Sequence, residues 1–308
     1  MRIFGLVLAA STAGAGCLLP LSGGAAPLSV VLSPQSVRAT GHVDVLDAGA
    51  GAVFRFPLRG GVVASRPDST LDVPLGFGLA VAADGTTYVS DYLHQRIVVY
   101  PAGARGHARP TQTIFLPLPP HELVVDPNGY MFVLLVSSRT GSSEIVGVAP
   151  TGQIVTTIAD QNAKSLAMDP QGNLYVGDDG GFKVYANPET SPYVIRSSCV
   201  RANLVTNMAI SPEGRIFLGR FPPFFSFITR APDTIDACPV PLGLFSMFVE
   251  DSPPLYLPYI AAGDGVVFTV ESTNVRLLQL DPNKGHQVPV ADVRYAGFKA
   301  PGAVAVGP

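Results

Sequence analysis

Apolar residues in this chain follow no helical period. They fall in short runs rich in Val, Ile, Leu, Phe and Tyr, separated by clusters of Asp, Asn, Pro and Gly. That is the pattern of short β-strands joined by tight turns. One unit recurs: a small apolar strand, a turn, a second strand, a polar loop and a third strand. Its copies open at Gly78-Leu79-Ala80-Val81-Ala82-Ala83-Asp84-Gly85, Leu123-Val124-Val125-Asp126-Pro127-Asn128-Gly129, Leu166-Ala167-Met168-Asp169-Pro170-Gln171-Gly172, Met208-Ala209-Ile210-Ser211-Pro212-Glu213-Gly214 and Ile260-Ala261-Ala262-Gly263-Asp264-Gly265. The turn glycines fall 44, 43, 42 and 51 residues apart, a period that marks a repeat architecture.

Each turn has a physical reason. Proline presets the first central position, Asp or Asn bonds the local backbone, and glycine accepts a positive φ. The predicted second strands are Thr87 to Ser90, Tyr130 to Val136, Asn173 to Gly177, Arg215 to Gly219 and Val266 to Val270. The third strands are Arg96 to Tyr100, Glu144 to Val148, Phe182 to Tyr185, Phe225 to Arg230 and Arg276 to Leu280. Variable segments such as Thr111 to Leu116 and Ile154 to Ile158 supply a fourth, outer strand. Four antiparallel strands at this period describe one blade of a β-propeller.

The two ends of the chain complete the pattern. Gly41 lies 44 residues before Gly85, and Asp47 lies 44 before Asp91. The first repeat is therefore present from its second strand onward. Its missing first strand reappears as Gly302-Ala303-Val304-Ala305-Val306-Gly307-Pro308. The expected fold is an all-β, six-bladed propeller of four-stranded antiparallel blades, closed by the C-terminal strand pairing into the first blade. Closure removes the unpaired edges of an open sheet.

Gly78 to Asp91 followed by Gln95 to Tyr100 resembles an NHL repeat, and the resemblance extends over residues 41–308. Trp-Asp-type propellers do not fit, because the chain contains no tryptophan. The resemblance implies a binding platform in an exported bacterial protein. Some relatives in this class are metal-dependent lactonases or lyases, so the activity has to be read from a site.

The propeller topology brings the loops between second and third strands to one face. That face is expected to carry Tyr92, His94, Arg96, Arg139, Asp178, Asp179, Arg220, Glu271 and Asn274, with Phe221 and Phe224 where Phe221-Pro222-Pro223-Phe224 replaces a polar loop. A metal-dependent hydrolase needs several converging His, Asp, Glu or Asn ligands and one open position. The candidates are His94, His121, Asp178, Asp179 and Glu271, the three acids offering oxygen ligands suited to calcium or another divalent ion. The lactonase ligand set of a Glu, two Asn and an Asp has no match, and the histidine cluster of NHL-type lyases lacks a third member. A Gly-x-Ser-x-Gly elbow is absent too. No catalytic residue and no cofactor is assigned.

Composition fits a scaffold covered on both faces: 47% of residues are hydrophobic and 14% charged, against roughly a quarter charged in an average globular protein. The net charge is −3, without a run of Lys or Arg, which argues against a nucleic-acid partner. Residues 1–17 read as an export signal, with Arg2, an apolar stretch from Ile3 to Ala10, and small residues up to Cys17. Ala13-Gly14-Ala15-Gly16-Cys17 also resembles a lipobox, so Cys17 is either lipidated or removed. Residues 18–40, rich in Ser, Gly, Ala and Pro, read as a flexible tether. Cys199 and Cys238 remain as an even pair for a disulfide in an oxidising compartment, or else as two free thiols.

Two functions stay open at this point. The first is a monomeric, non-catalytic propeller in the periplasm, on the cell surface or secreted, using one face to bind a protein, peptide or glycan. The second is a metal-dependent lactonase or lyase with a divergent site.

Overall fold

Alternating apolar runs and glycine-bearing turns give an all-β structure. The computed structural model describes residues 41–178, 181–186, 188–190, 192–199, 204–212, 214–221, 227–230, 246–248, 259–263, 266–271, 275–281 and 289–307, with backbone alone at 193–199, 204–206, 218–221, 227–230, 246–248, 259 and 271. The chain divides into two compact units, Met1–Pro34 and Gln35–Pro308, and the described residues belong to the second. No helix occurs among them.

In chain order the strands are β1 (His42–Asp47), β2 (Ala52–Arg59), β3 (Val62–Val63) and β4 (Ser69–Asp72), then β5 (Gly76–Val81), β6 (Thr87–Asp91), β7 (Arg96–Tyr100) and β8 (Gln112–Phe115). The next repeats supply β9 (Pro120–Val125), β10 (Met131–Val136), β11 (Ser143–Val148) and β12 (Ile154–Ile158), followed by β13 (Ser165–Met168), β14 (Leu174–Gly177), β15 (Gly181–Ala186) and β16 (Tyr193–Cys199). The remainder are β17 (Leu204–Ile210), β18 (Ile216–Phe221), β19 (Phe227–Arg230) and β20 (Ser246–Phe248), then β21 (Tyr259–Gly263), β22 (Val266–Glu271), β23 (Arg276–Leu280), β24 (Ala291–Val293) and β25 (Pro301–Gly307).

Five of these groups, starting at β5, β9, β13, β17 and β21, are four-stranded antiparallel blades in a propeller arrangement. Five regular blades thus stand where the repeat predicts six. The remaining strands join both ends of the described chain in one five-stranded sheet, ordered β25-β1-β2-β3 with β4 also on β2. In it β25 pairs antiparallel with β1, Val304 opposite Val45 and Gly307 opposite His42. A cross-strand ion pair reinforces this sheet. Asp44, fully buried, receives Arg55 Nε at 3.0 Å and Nη2 at 2.8 Å, and the two residues are opposite each other in the β1–β2 register.

The turns behave as their residues require. Asp126 Oδ1 accepts the N–H groups of Asn128 (2.8 Å) and Tyr130 (2.7 Å), and Asp169 Oδ1 accepts those of Gln171 and Asn173, both at 2.9 Å. The glycine that follows adopts a left-handed φ, 85° at Gly129 and 84° at Gly172, a conformation that side chains resist. Local chemistry thus sets the phase of these two hairpins.

Packing between neighbouring sheets makes the core. Ile97, Val99 and Ile114 meet Leu123, Val133 and Val146 across one such boundary, and Phe56 and Val304 meet Phe268 and Leu277 across another. Strands covered on both faces read as continuous apolar runs, which accounts for the composition.

Candidate functional site: an aromatic channel mouth

The innermost strands β5, β9, β13, β17, β21 and β25 surround a cavity of about 560 Å³, a size suited to a small organic ligand. Most of its wall is aliphatic, including Leu79, Leu123, Leu166, Met208, Ile260 and Val304. At the start of β5 and β9 the wall becomes aromatic. Phe77 lies with its ring 4.8 Å from His121 and 5.3 Å from Tyr92, and Tyr92 meets His121 edge-on at 6.2 Å. Phe77 is 42% exposed, and its neighbours Leu75 and Leu93 are exposed as well. Burial pushes the His121 imidazole below its ordinary pKa, so it is chiefly neutral at pH 7.

Glu122 follows His121 and also lines the cavity. Its side chain is half-buried on the cavity wall. Its Oε2 accepts the Leu166 N–H of the neighbouring blade at 2.7 Å. Burial pushes its carboxyl up to about 8, and the Leu166 hydrogen bond opposes the rise only in part. A carboxylic acid that stays protonated at neutral pH is a group prepared to exchange a proton or to recognise a charge.

Register explains how these side chains meet. Glu122, Ser165 and Asn207 each stand seven residues before their turn glycines, where the preceding repeat has Gly78, and Phe77, His121 and Lys164 each stand eight before. Equivalent positions face the same end of the channel. Asn207 repeats the role of Glu122, its Oδ1 accepting the Ile260 N–H of the next blade at 3.1 Å. Lys164 lines the cavity at an exposed position. Gly78 allows the close approach of β5 to β9: a Cβ there would meet the His121 carbonyl oxygen, with Leu123 Cδ2 at 2.9 Å.

The sequence-predicted site residues divide unevenly. Tyr92 and His121 come together, joined by Phe77. His94 and Arg96 serve the fold instead. Both engage the fully buried Asp91, His94 through Nδ1 at 2.8 Å and Arg96 through Nε at 2.8 Å. Arg139 is exposed in the loop between β10 and β11. Asp178 forms an ion pair with Lys183 Nζ at 3.5 Å, and Lys183 also holds the buried Asp160 at 2.8 Å. Asp179, Phe224, Asn274, Cys17 and Cys238 lie outside the described residues, as do the side chains of Cys199, Arg220, Phe221 and Glu271. Among the described residues no three His, Cys, Asp or Glu side chains gather as a metal site. His94 and His121 do not form one, and His94 Nδ1 is engaged by the Asp91 carboxylate. Phe77, Glu122, Lys164 and Asn207 were not singled out by the sequence, although their fixed offset from the turn glycines was there to be read.

Comparison with known proteins supports the fold. No protein-family model and no curated protein matches the chain. Solved structures do. A functionally unknown protein from Desulfotomaculum acetoxidans superposes with a TM-score of 0.61 at 11% identity, covering 87% of this chain and 99% of the other. A catalytically inactive virginiamycin B lyase from Staphylococcus aureus with quinupristin gives 0.54 at 12% identity, covering 86% and 88%. The PQQ-bound aldose sugar dehydrogenase from Streptomyces coelicolor gives 0.50 at 15% identity, covering 76% and 84%. At these identities the likeness shows a β-propeller fold and carries no activity across.

Proposed function

We propose that the protein is an exported, NHL-like, six-bladed propeller that works by binding, with the aromatic channel mouth as its point of contact. The composite sheet of β25 with β1 to β4 serves as the sixth blade and closes the ring, a reading supported by the β25–β1 register. Export rests on the signal-like residues 1–17, with Cys17 as the anchoring point in the lipidated form. The observation that carries the binding reading is Phe77. It is a large apolar ring left 42% exposed and in tilted contact with Tyr92 and His121 at the opening of a cavity. Exposed apolar surface gathered at the opening of a cavity, rather than scattered singly, is the kind that marks an interaction site.

The lactonase or lyase alternative needs a converging ligand set, and the described residues supply none. A binding protein needs only an apolar, aromatic recess with a few polar groups at fixed points, which Glu122 and Asn207 provide.

The test is binding of small aromatic molecules to the intact chain, followed by ligand-observed NMR and calorimetry, with the wild type beside Phe77→Ala. Loss of affinity by tenfold or more in the variant, with little change in melting midpoint, is the expected result. Equal affinity of the two proteins would remove the mouth from consideration as the contact point.

A further inference from the structure

Chemistry at the channel mouth favours one class of ligand, and the inference here rests on reading that mouth as the binding site. Phe77, Tyr92 and His121 present a continuous aromatic surface with ring centroids 4.8 to 6.2 Å apart. Glu122 lies in the same cavity with Oε2 held by the Leu166 N–H. No other hydrogen bond to this carboxyl occurs among the described residues, so Oε1 is available to a ligand. A ring face attracts a cation through its quadrupole, more strongly where water is excluded. An enclosed carboxyl is then its natural counter-charge.

We propose that the channel mouth takes a small organic ammonium ion, its apolar body against the Phe77 and His121 rings and its nitrogen bonded to Glu122 Oε1.

The titratable and charged groups facing Glu122 agree with this. His121, on the same strand, is chiefly neutral at pH 7 because burial lowers its pKa. Lys164, at the start of β13, is exposed at the rim, and no charged side chain enters the balance that sets the Glu122 carboxyl. Among the described residues, β5, β17, β21 and β25 bring only apolar side chains, backbone and the Asn207 amide to the cavity. For an anionic ligand the described cavity wall offers Lys164, which stands exposed where water weakens its attraction. An uncharged one would leave the Glu122 carboxyl as it is.

Binding is accordingly coupled to a proton. The ammonium arrives already protonated, Glu122 loses its proton to solvent, and a carboxylate–ammonium pair forms. With a carboxyl that titrates at about 8, binding at pH 7 releases about 0.9 proton, and affinity rises about tenfold from pH 7 to pH 9.

The probes are phenethylammonium, the neutral 2-phenylethanol and the anionic 3-phenylpropionate, titrated calorimetrically into the intact protein in two buffers of different ionisation enthalpy. Phenethylammonium is expected to bind at least tenfold more tightly than either isostere and to release close to one proton. Glu122→Gln is expected to abolish both the preference and the proton release. That variant keeps an oxygen for the Leu166 N–H, and Phe77→Ala, at an exposed position, provides a second variant whose folding is not at risk. Preference for the neutral or anionic probe, still lost in Phe77→Ala, would overturn the ammonium assignment and leave the binding site standing. Binding of phenethylammonium without proton release would overturn the role of Glu122. Absence of binding by all three would overturn both the assignment and the mouth as a site.

Discussion

Asp47 and Ala300 are 253 residues apart in the chain, yet the Asp47 Oδ1 accepts the Ala300 N–H at 2.9 Å. The same carboxylate accepts Lys299 N–H at 2.5 Å through Oδ2 and its own turn at Ala50 at 2.8 Å. One fully buried side chain at the end of β1 thereby ties the segment leading into β25. Asp47→Ala strands all three donors, and the expected loss is about 3 kcal/mol. The equivalent Asp91→Ala should cost about half as much, because its partners His94 and Arg96 lie within five residues and retain access to water. Urea unfolding of the two variants checks this, and equal losses would show that the long-range tie carries no extra weight.

Gly78 supports the mouth from behind. Its N–H donates to Ser90 Oγ at 2.6 Å, and that hydroxyl donates to the His121 carbonyl at 2.9 Å. A Cβ at position 78 runs into that carbonyl, which as backbone cannot move aside cheaply. Gly78→Ala is expected to cost about 1–3 kcal/mol and to weaken binding at the mouth by spreading β5 from β9. Gly147→Ala is the control. Its Cβ meets Thr156 Cγ2 and comes within 2.9 Å of Phe132 Cε1, away from the aromatic cluster. It should destabilise the fold and leave affinity unchanged. If both variants bind alike, the β5–β9 approach does not shape the site.

The turns and the site differed in how far they were legible from sequence, and the reason is range. The hydrogen bonds that shape this turn join Asp126 to Asn128 and Tyr130, at most four positions away, and Gly129 supplies the left-handed φ between them. Their chemistry therefore announces the hairpin without knowledge of anything else. Phe77 and His121 become neighbours only after two blades have formed and their inner strands have come side by side. Loop position predicted that His94 and Arg96 would be available, but it could not reveal Asp91, whose buried carboxylate takes both. Glu122 illustrates the converse. In sequence it is one acid in an apolar strand, and only the inner strands packed beside its cavity make it a desolvated one.

That desolvation should be visible in stability against pH. In the folded protein Glu122 titrates at about 8, well above its ordinary value of 4.5. Between those pH values the folded state holds a proton that the unfolded chain has lost. The contribution of this group is therefore fully present below about pH 4.5, declines as pH rises toward 8, and is flat above it. The slope is at most about 1.4 kcal/mol per pH unit. Glu122→Gln removes the titration and keeps the Leu166 hydrogen bond, since the amide oxygen still accepts. The variant should match the wild type near pH 5 and exceed it at pH 9 by on the order of 2 kcal/mol, a figure reduced for the water that reaches the cavity. Unfolding by urea at the two pH values measures the difference directly. Parallel pH profiles for the two proteins would mean that Glu122 is ionised in the folded state, and the proton coupling inferred for the mouth would fail with it.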